Sequence, residues 1–393
     1  MKYGVILHKD ASNLGDDVQT YAAAKLLPHV DYVIDREKLD TFETENGEPV
    51  GVPMAAWWFW EKWNWPPSDC IVPLLTSMHM NNYSVYERGT PVGDKWLRGL
   101  GGDYFRAYGP VGARDQSSLE FFQKHGIDAY FSGCITLTLP QQKKTEDSGK
   151  YICLVDLNDK LKKKAYEILD GCGYEIRELS HDGSFNYSKK SWEERMAEVE
   201  KYLTIYQNAH CVITRRLHVT LPCLAMGVPV FSIVKFMSDG NKPRWYPYRE
   251  WLHCTTNGKF LKGKFEYDFV NPPENKPNYK EYREALIRQV SDFVAECEAN
   301  SEKTVEELKK TSYDKQEVLK WQNALMKETL EEWMFESREM MLKYNDCVGR
   351  LNYLENEEGM TLGGIIKKRF QLWVKNKKLQ IRSFIKKIWK KGS

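Results

Sequence analysis

The 393-residue chain is 42% hydrophobic with a formal net charge of +2, a composition ordinary for a soluble protein of two or three domains. The near-neutral total divides unevenly: residues 359–393 hold eleven Lys or Arg and no acid, which leaves −9 on the first 358. A mildly acidic body argues against a nucleic-acid surface, and no run of about 18 apolar residues marks a membrane-spanning helix.

In chain order, YGVILH (residues 3–8) reads as a short buried strand, and ASNLGDD as a loop into the helix DVQTYAAAKLL. DYVID predicts a second strand, and IVPLLTSMHM (71–80) a single central one. DQSSLEFFQKHG predicts a helix with Asp115 as N-cap and Gly126 as its stop, followed by the strand DAYFSG. The polar PQQKKTEDSGK (140–150) reads as a domain boundary. Beyond it, YICLVD, YEIRELS, HCVIT and VPVFSIV predict strands. They alternate with the helical segments KLKKKAYEILDGCG, WEERMAEVEKYLTIYQNA and LHVTLPCLAMG. Strict β/α alternation implies parallel, doubly wound sheets. The expected fold is α/β and GT-B-like, with Rossmann-like domains at 1–140 and 150–270 facing a cleft. A helical extension is expected over 275–393.

The nine cysteines form no CxxC and are odd in number, which predicts reduced thiols in a cytosolic protein. The start, MKYGVILHKDAS, has no apolar core of the signal-peptide kind. Cytoplasmic placement is expected. No cluster has metal-ligand spacing, so no metal is implied.

Four features carry candidate chemistry. TRRLHV (214–219) sets Arg215, Arg216 and His218 between two apolar runs, at a strand end and helix start. Ligands of doubly wound sheets bind there, helix N-termini favour anions, and guanidinium forks hold phosphate or carboxylate. An arginine salt-bridged to the sheet edge beside a core histidine fits the same residues. His79, at a strand end, and Arg114, before a helix, occupy equivalent positions in the first half. If the domains face each other, Arg216 and His218 point at Arg114 and His79, and Arg215 turns away toward an acidic partner. In NLGDDVQT, Asn13 and Gly15 make a tight turn and Asp16 or Asp17 caps the following helix; the functional reading of the same residues is that backbone N–H groups and Asn13 line the cleft. WWFWEKWNWPP (57–67) holds five tryptophans, suited to stacking on sugars or bases or to core packing.

Taken together, NLGDDVQTYA, WPPSDCIVPLLTSMHM, YGPVGARDQSSLEFFQKHGIDAYFSGCITLTL and YQNAHCVITRRLHVTLPCLAMGVPVF resemble the polysaccharide pyruvyl transferases over residues 3–235. Arg215 departs from the small or acidic residue often found there, and AAWW from a more polar turn. The resemblance implies a GT-B-like transferase that moves the pyruvyl group of phosphoenolpyruvate onto two hydroxyls of a glycan or lipid-linked sugar, giving a cyclic ketal. It implies no cofactor beyond that donor. His79, Arg114, Arg216 and His218 match the family's implicated positions. Arg114 and Arg216, with the N–H groups of Leu217 and His218, would hold the donor's two anions. Asn13 would line the cleft, and His79 and His218 would divide base and acid duties. A GT-B glycosyltransferase using a nucleotide sugar, or a catalytically silent scaffold of glycan assembly, would show much the same arginines.

The last stretch, IIKKRFQLWVKNKKLQIRSFIKKIWKKGS, alternates apolar and basic residues. On a helix, Ile366, Phe370, Trp373, Ile381, Phe384, Ile385 and Ile388 share one face. Such a face over 364–391 suits an anionic membrane, here the inner face of the plasma membrane, and equally a partner helix or the protein's own body.

Overall fold

Apolar runs separated by helix formers give two parallel sheets in series in the computed structural model, which describes residues 1–58, 64–81, 90–182, 189–234, 242–311, 313–358 and 373–375. The first sheet contains β1 (Lys2–Leu7), β2 (Tyr32–Asp35), β3 (Val50–Pro53) and β5 (Ile71–Leu74), in the order β2-β1-β3-β5. All its pairings are parallel. Helix α1 (Leu14–Leu26) follows β1. Five of the six β1 residues are buried, as a strand covered on both faces requires.

The predicted strand over 71–80 is two strands. β5 ends at Leu74, and Ser77 takes a left-handed φ of 53°. The turn is held by Ser77 N donating to Ser132 Oγ at 3.2 Å and Ile135 N donating to Ser77 Oγ at 2.7 Å. The chain then leaves the main sheet as β6 (His79–Met80), which pairs with β4 (Trp57–Trp58), Trp57 opposite His79. Helices α2 (Val92–Trp96) and α3 (Leu100–Tyr108) lead to β7 (Val111–Ala113), α4 (Gln116–Lys124) and β8 (Ala129–Phe131). β7 pairs with β8, and Met78 bridges to Ala113.

The second sheet holds β9 (Tyr151–Val155), β10 (Glu175–Leu179), β11 (Cys211–Thr214), β12 (Val230–Val234) and β13 (His253–Thr256), ordered β10-β9-β11-β12-β13 and parallel throughout. Its connecting helices are α5 (Asp159–Leu169), α6 (Trp192–Asn208), α7 (Leu217–Met226), α8 (Lys242–Trp245) and α9 (Asn257–Leu261). Ile152, Leu154, Ile213 and Ile233 pack on one face with Leu161 of α5 and Phe260 of α9. Tyr151, Cys153, Val155 and Val212 pack on the other with Val199 of α6 and Val219 of α7. Helices on both faces make this a doubly wound layer. The strand β13 was absent from the sequence prediction, because HCTT is short and mostly polar.

The second face is continuous with the first sheet: Tyr3, Val5, Leu14 and Val18 belong to the same apolar cluster. Helix α10 (Lys280–Ala299) contributes Val290, Phe293 and Cys297 to it. Helices α11 (Val305–Leu308) and α12 (Lys315–Glu358) follow. Contacts group residues 1–325, less a short internal stretch, into one compact unit that includes both sheets, and residues 326–393 into a second. All nine cysteines are free thiols. No described helix is long and apolar enough to cross a membrane. The basic stretch 364–391 lies outside the described residues except for 373–375, as do Trp60 and Trp63 of the tryptophan-rich run.

Candidate active site

The β1–α1 loop meets the second sheet at its strand ends. Leu14 N donates to the His181 carbonyl at 3.1 Å, and Asn13 forms a β-bridge with Asp182. Asn13 Oδ1 accepts from Gly15 N at 3.1 Å, so the cap of α1 is Asn13 and not Asp16 or Asp17, which lie inside the helix's first turn. A Cβ added to Gly15 would stand 2.9 Å from His218 Nδ1, so the absence of a side chain at 15 lets α1 abut the start of α7. His218 therefore comes from the second sheet and packs on a helix of the first.

His79 is carried to the same place by β6. Its Nδ1 bonds the Asp115 carboxylate, whose other oxygen accepts from Ser117 Oγ at 2.6 Å and Ser118 N at 3.0 Å. The Trp57 ring meets the imidazole edge-on, with centroids 4.7 Å apart. Burial pushes His79 down to about 4, with Arg114 and Arg244 adding to the shift and Asp115 opposing it. Burial would raise the Asp115 carboxyl, but His79, Arg114 and Ser117 together hold it below its usual range. Near pH 7 the couple is thus a carboxylate facing Nδ1–H of a neutral imidazole, which leaves the lone pair on Nε2.

Arg114 is fully buried. Its Nη1 donates to Gln19 Oε1, and its carbonyl accepts from Tyr248 Oη. Its Nε and Nη2 have no hydrogen-bond partner among the described residues, nor does His218 Nε2. Burial, followed by the charges of Arg114 and Arg244, holds His218 well below the usual histidine range. Buried donors left open are costly, about 1–3 kcal/mol each, and an anionic ligand would supply acceptors for them. A hollow alongside is lined by His8, Asp16, Gln19, Arg36 and Trp57, at the carboxyl ends of the first sheet's strands.

Thus His79, Arg114 and His218 are brought together, with Asn13 at the same junction through Gly15. Arg216 is elsewhere engaged: Nε donates to Asp156 Oδ2 at 2.9 Å and Nη2 to Asp182, with the side chain 30% exposed. The acidic partner expected for Arg215 belongs to Arg216: Asp156 directly follows β9, the neighbour of β11, and Asp182 lies just past β10, the next strand out. Leu217 is buried as the first residue of α7. Sequence reading missed Gln19 and Arg244, and took Asp115 as a cap without seeing that it also holds His79. The adjacency of Arg114 and Asp115 was the available signal.

Residues 78–234 match the polysaccharide pyruvyl transferase family. The matched stretch includes His79, Arg114, Asp115, Arg216, Leu217 and His218. The resemblance read from the sequence over 3–235 is borne out over residues 78–234. Asn13, Gln19 and Arg244 lie outside it. No curated protein matches the chain. Among solved structures, an uncharacterized protein from Klebsiella pneumoniae subsp. pneumoniae is 11% identical over 65% of this chain and 92% of that one, with a TM-score of 0.37. The UDP-GlcNAc 2-epimerase of Methanocaldococcus jannaschii in complex with UDP-GlcNAc and UDP is 12% identical over 74% and 100%, with a TM-score of 0.37. A second structure of that epimerase gives 11% and 0.38.

Three buried histidines set an acid limit on stability. His79 and His181 are each pushed down to about 4 from 6.5, and His218 is also held well below 6.5, burial being the largest cause for all three. The unfolded chain binds protons that the folded chain refuses between those values. Stability is therefore full above about pH 6.5 and falls as the pH drops toward 4. Urea midpoints measured from pH 7.5 to 4.5 should decline through this window, and a flat series would contradict buried neutral imidazoles.

Proposed function

We propose that the protein is a phosphoenolpyruvate-dependent pyruvyl transferase that builds a cyclic ketal on a glycan sugar. The observation that carries this is the buried His79–Asp115 couple beside the open nitrogens of Arg114 and His218. The match of 78–234 to the pyruvyl transferase family supports the group transferred.

The residues fit the chemistry. Arg114 offers two unbonded guanidinium nitrogens to an anion of the donor. Neutral His79, fixed through Nδ1, takes a sugar hydroxyl proton on Nε2. Burial first, and the arginine charges next, keep His218 neutral; a bound anion offsets the second of these, so donor entry favours His218 carrying a proton to the methylene carbon. The oxocarbenium-like carbon bonds two sugar oxygens in turn, and its bond to the phosphate oxygen breaks. Of the two hydroxyl protons released, one balances the new methyl group and the other leaves on phosphate. Arg216, tied to Asp156 and Asp182, serves by fixing the start of α7, where Leu217 and His218 begin the helix. Asn13 and Gly15 set how closely α1 approaches.

Incubation with phosphoenolpyruvate and a panel of lipid-linked sugars, read by phosphate release and by mass spectrometry of the sugar, tests the assignment. Gain of a pyruvyl unit is expected. A thermal shift with nucleotide sugars and none with phosphoenolpyruvate would replace it by glycosyl transfer, and no response to either would favour a scaffold. The basic stretch 364–391 would hold the enzyme at an anionic membrane carrying the acceptor. Full-length protein should sediment with anionic liposomes at low salt, and a chain ending before Met360 should not.

A further inference from the structure

We propose that Arg244, from α8, forms a two-guanidinium anion site with Arg114 that takes the phosphate and carboxylate of one small ligand. Its identification as the donor's site rests on the pyruvyl-transfer proposal above; the anion site itself does not. Arg244 lies beyond the stretch that matches the family, in the KPRW segment. Nothing in its local sequence marks it as a ligand.

The Arg244 guanidinium lies over the Trp57 ring, 4.8 Å from the centroid. The same indole meets His79 edge-on, so Trp57 is a wall shared by the arginine and the imidazole. Four residues on, Tyr248 donates its hydroxyl to the carbonyl of Arg114. That bond fastens the segment bearing Arg244 to the start of α4. Among the described residues, buried Arg244 Nε has no hydrogen-bond partner, and the same is true of Arg114 Nε and Nη2.

Two carboxylates lie near enough to act on Arg244, Asp115 and Asp16; Asp115 Oδ2 stands 3.9 Å from Arg114 Nε, an ion-pair distance too long for a hydrogen bond, and neither carboxylate hydrogen-bonds these nitrogens among the described residues. Asp115 is committed to His79, Ser117 and Ser118. Asp16 accepts from Gln19 at 3.4 Å and lies 3.9 Å from His8. The nearby carboxylates therefore moderate the net charge without satisfying the donors. Burial, and next the charge of Arg114, lower Arg244 to about 10, so Arg244 keeps its charge near pH 7 although the Arg114 guanidinium is close enough to repel it. Buried donors without acceptors and like charges side by side share one remedy, an anion bonded to both. A ligand with two negative ends satisfies both forks at once. The cation–π contact with Trp57 holds Arg244 in place for it.

The test is titration of the full-length protein with inorganic phosphate and, separately, phosphoenolpyruvate, by calorimetry. Arg244→Gln should weaken phosphate at least about tenfold, the scale of one lost charge-assisted contact, and should abolish the rise in melting temperature that phosphate gives the wild type. Equal affinity in wild type and variant overturns the proposal, and so does a wild type that binds no phosphate. If Arg244→Gln does not fold, Arg244→Lys keeps the charge and the ring contact but loses the fork. It should bind phosphate several-fold more weakly, and unchanged affinity overturns the proposal. Phosphate binding that depends on Arg244, in a protein that never consumes phosphoenolpyruvate with any sugar, would leave the anion site standing and remove the pyruvyl-transfer assignment.

Discussion

Asp115→Asn is expected to lower turnover of phosphoenolpyruvate by about two to four orders of magnitude, the contribution typical of a positioned general base, with little change in melting temperature. Asn is as good an N-cap as Asp, so the hydrogen bond from Ser118 N that starts α4 survives. What is lost is the charge that fixes the His79 tautomer. Asp115 is the group that resists the downward shift of His79, so without it the imidazole becomes a weaker base still. His79→Gln should cost about as much, because it removes the proton acceptor itself. The two residues act as one device, so the double variant should be no slower than the worse single. Phosphate release under single-turnover conditions checks this. Singles that retain more than about a tenth of wild-type activity would show that neither residue moves a proton in the slow step.

The contrast between Asp115 and Arg244 shows what was legible in the sequence. Alternating apolar runs and helix formers predicted most strands of both sheets, because burial on two faces demands continuous hydrophobic residues. β3 escaped because VGVP carries a glycine and a proline, which argue against a central strand, yet it pairs with β1 and β5. Residues 71–80 looked like one strand because the break at Ser77 depends on long-range bonds to Ser132 and Ile135. At the site, Arg114 and His218 stood out as polar residues at the edges of buried runs. Asp115 was visible, but its cap role hid its second partner. Arg244 was invisible because its neighbours, Trp57 and Arg114, are far away in sequence. The pairing of Arg216 with Asp156 and Asp182 was equally hidden, since it follows from strand order in the second sheet.

The largest stability effect should come from Arg195. Its guanidinium donates to Asp17 at 2.6 and 2.9 Å, and to the carbonyls of His8 at 2.9 Å and Lys9 at 3.1 Å. Both side chains are about 1% exposed or less. Arg195→Met strands a buried carboxylate, which costs about 3–5 kcal/mol. The pair is nonetheless a poor source of net stability: burial outweighs the attraction of Arg195, and Asp17 stays above its usual carboxyl range. Replacing both residues, Asp17→Leu with Arg195→Met, should therefore recover most of the loss, as buried pairs exchanged for apolar groups commonly do. Activity should not recover with it. Arg195 reaches from α6 to the loop after β1, and that loop sets Asn13 and Gly15 against His218. A double variant that melts near wild type but turns over slowly would place the value of this ion pair in geometry. One as active as the wild type would mean that the loop holds its position through the bond of Leu14 to His181 and the bridge of Asn13 to Asp182.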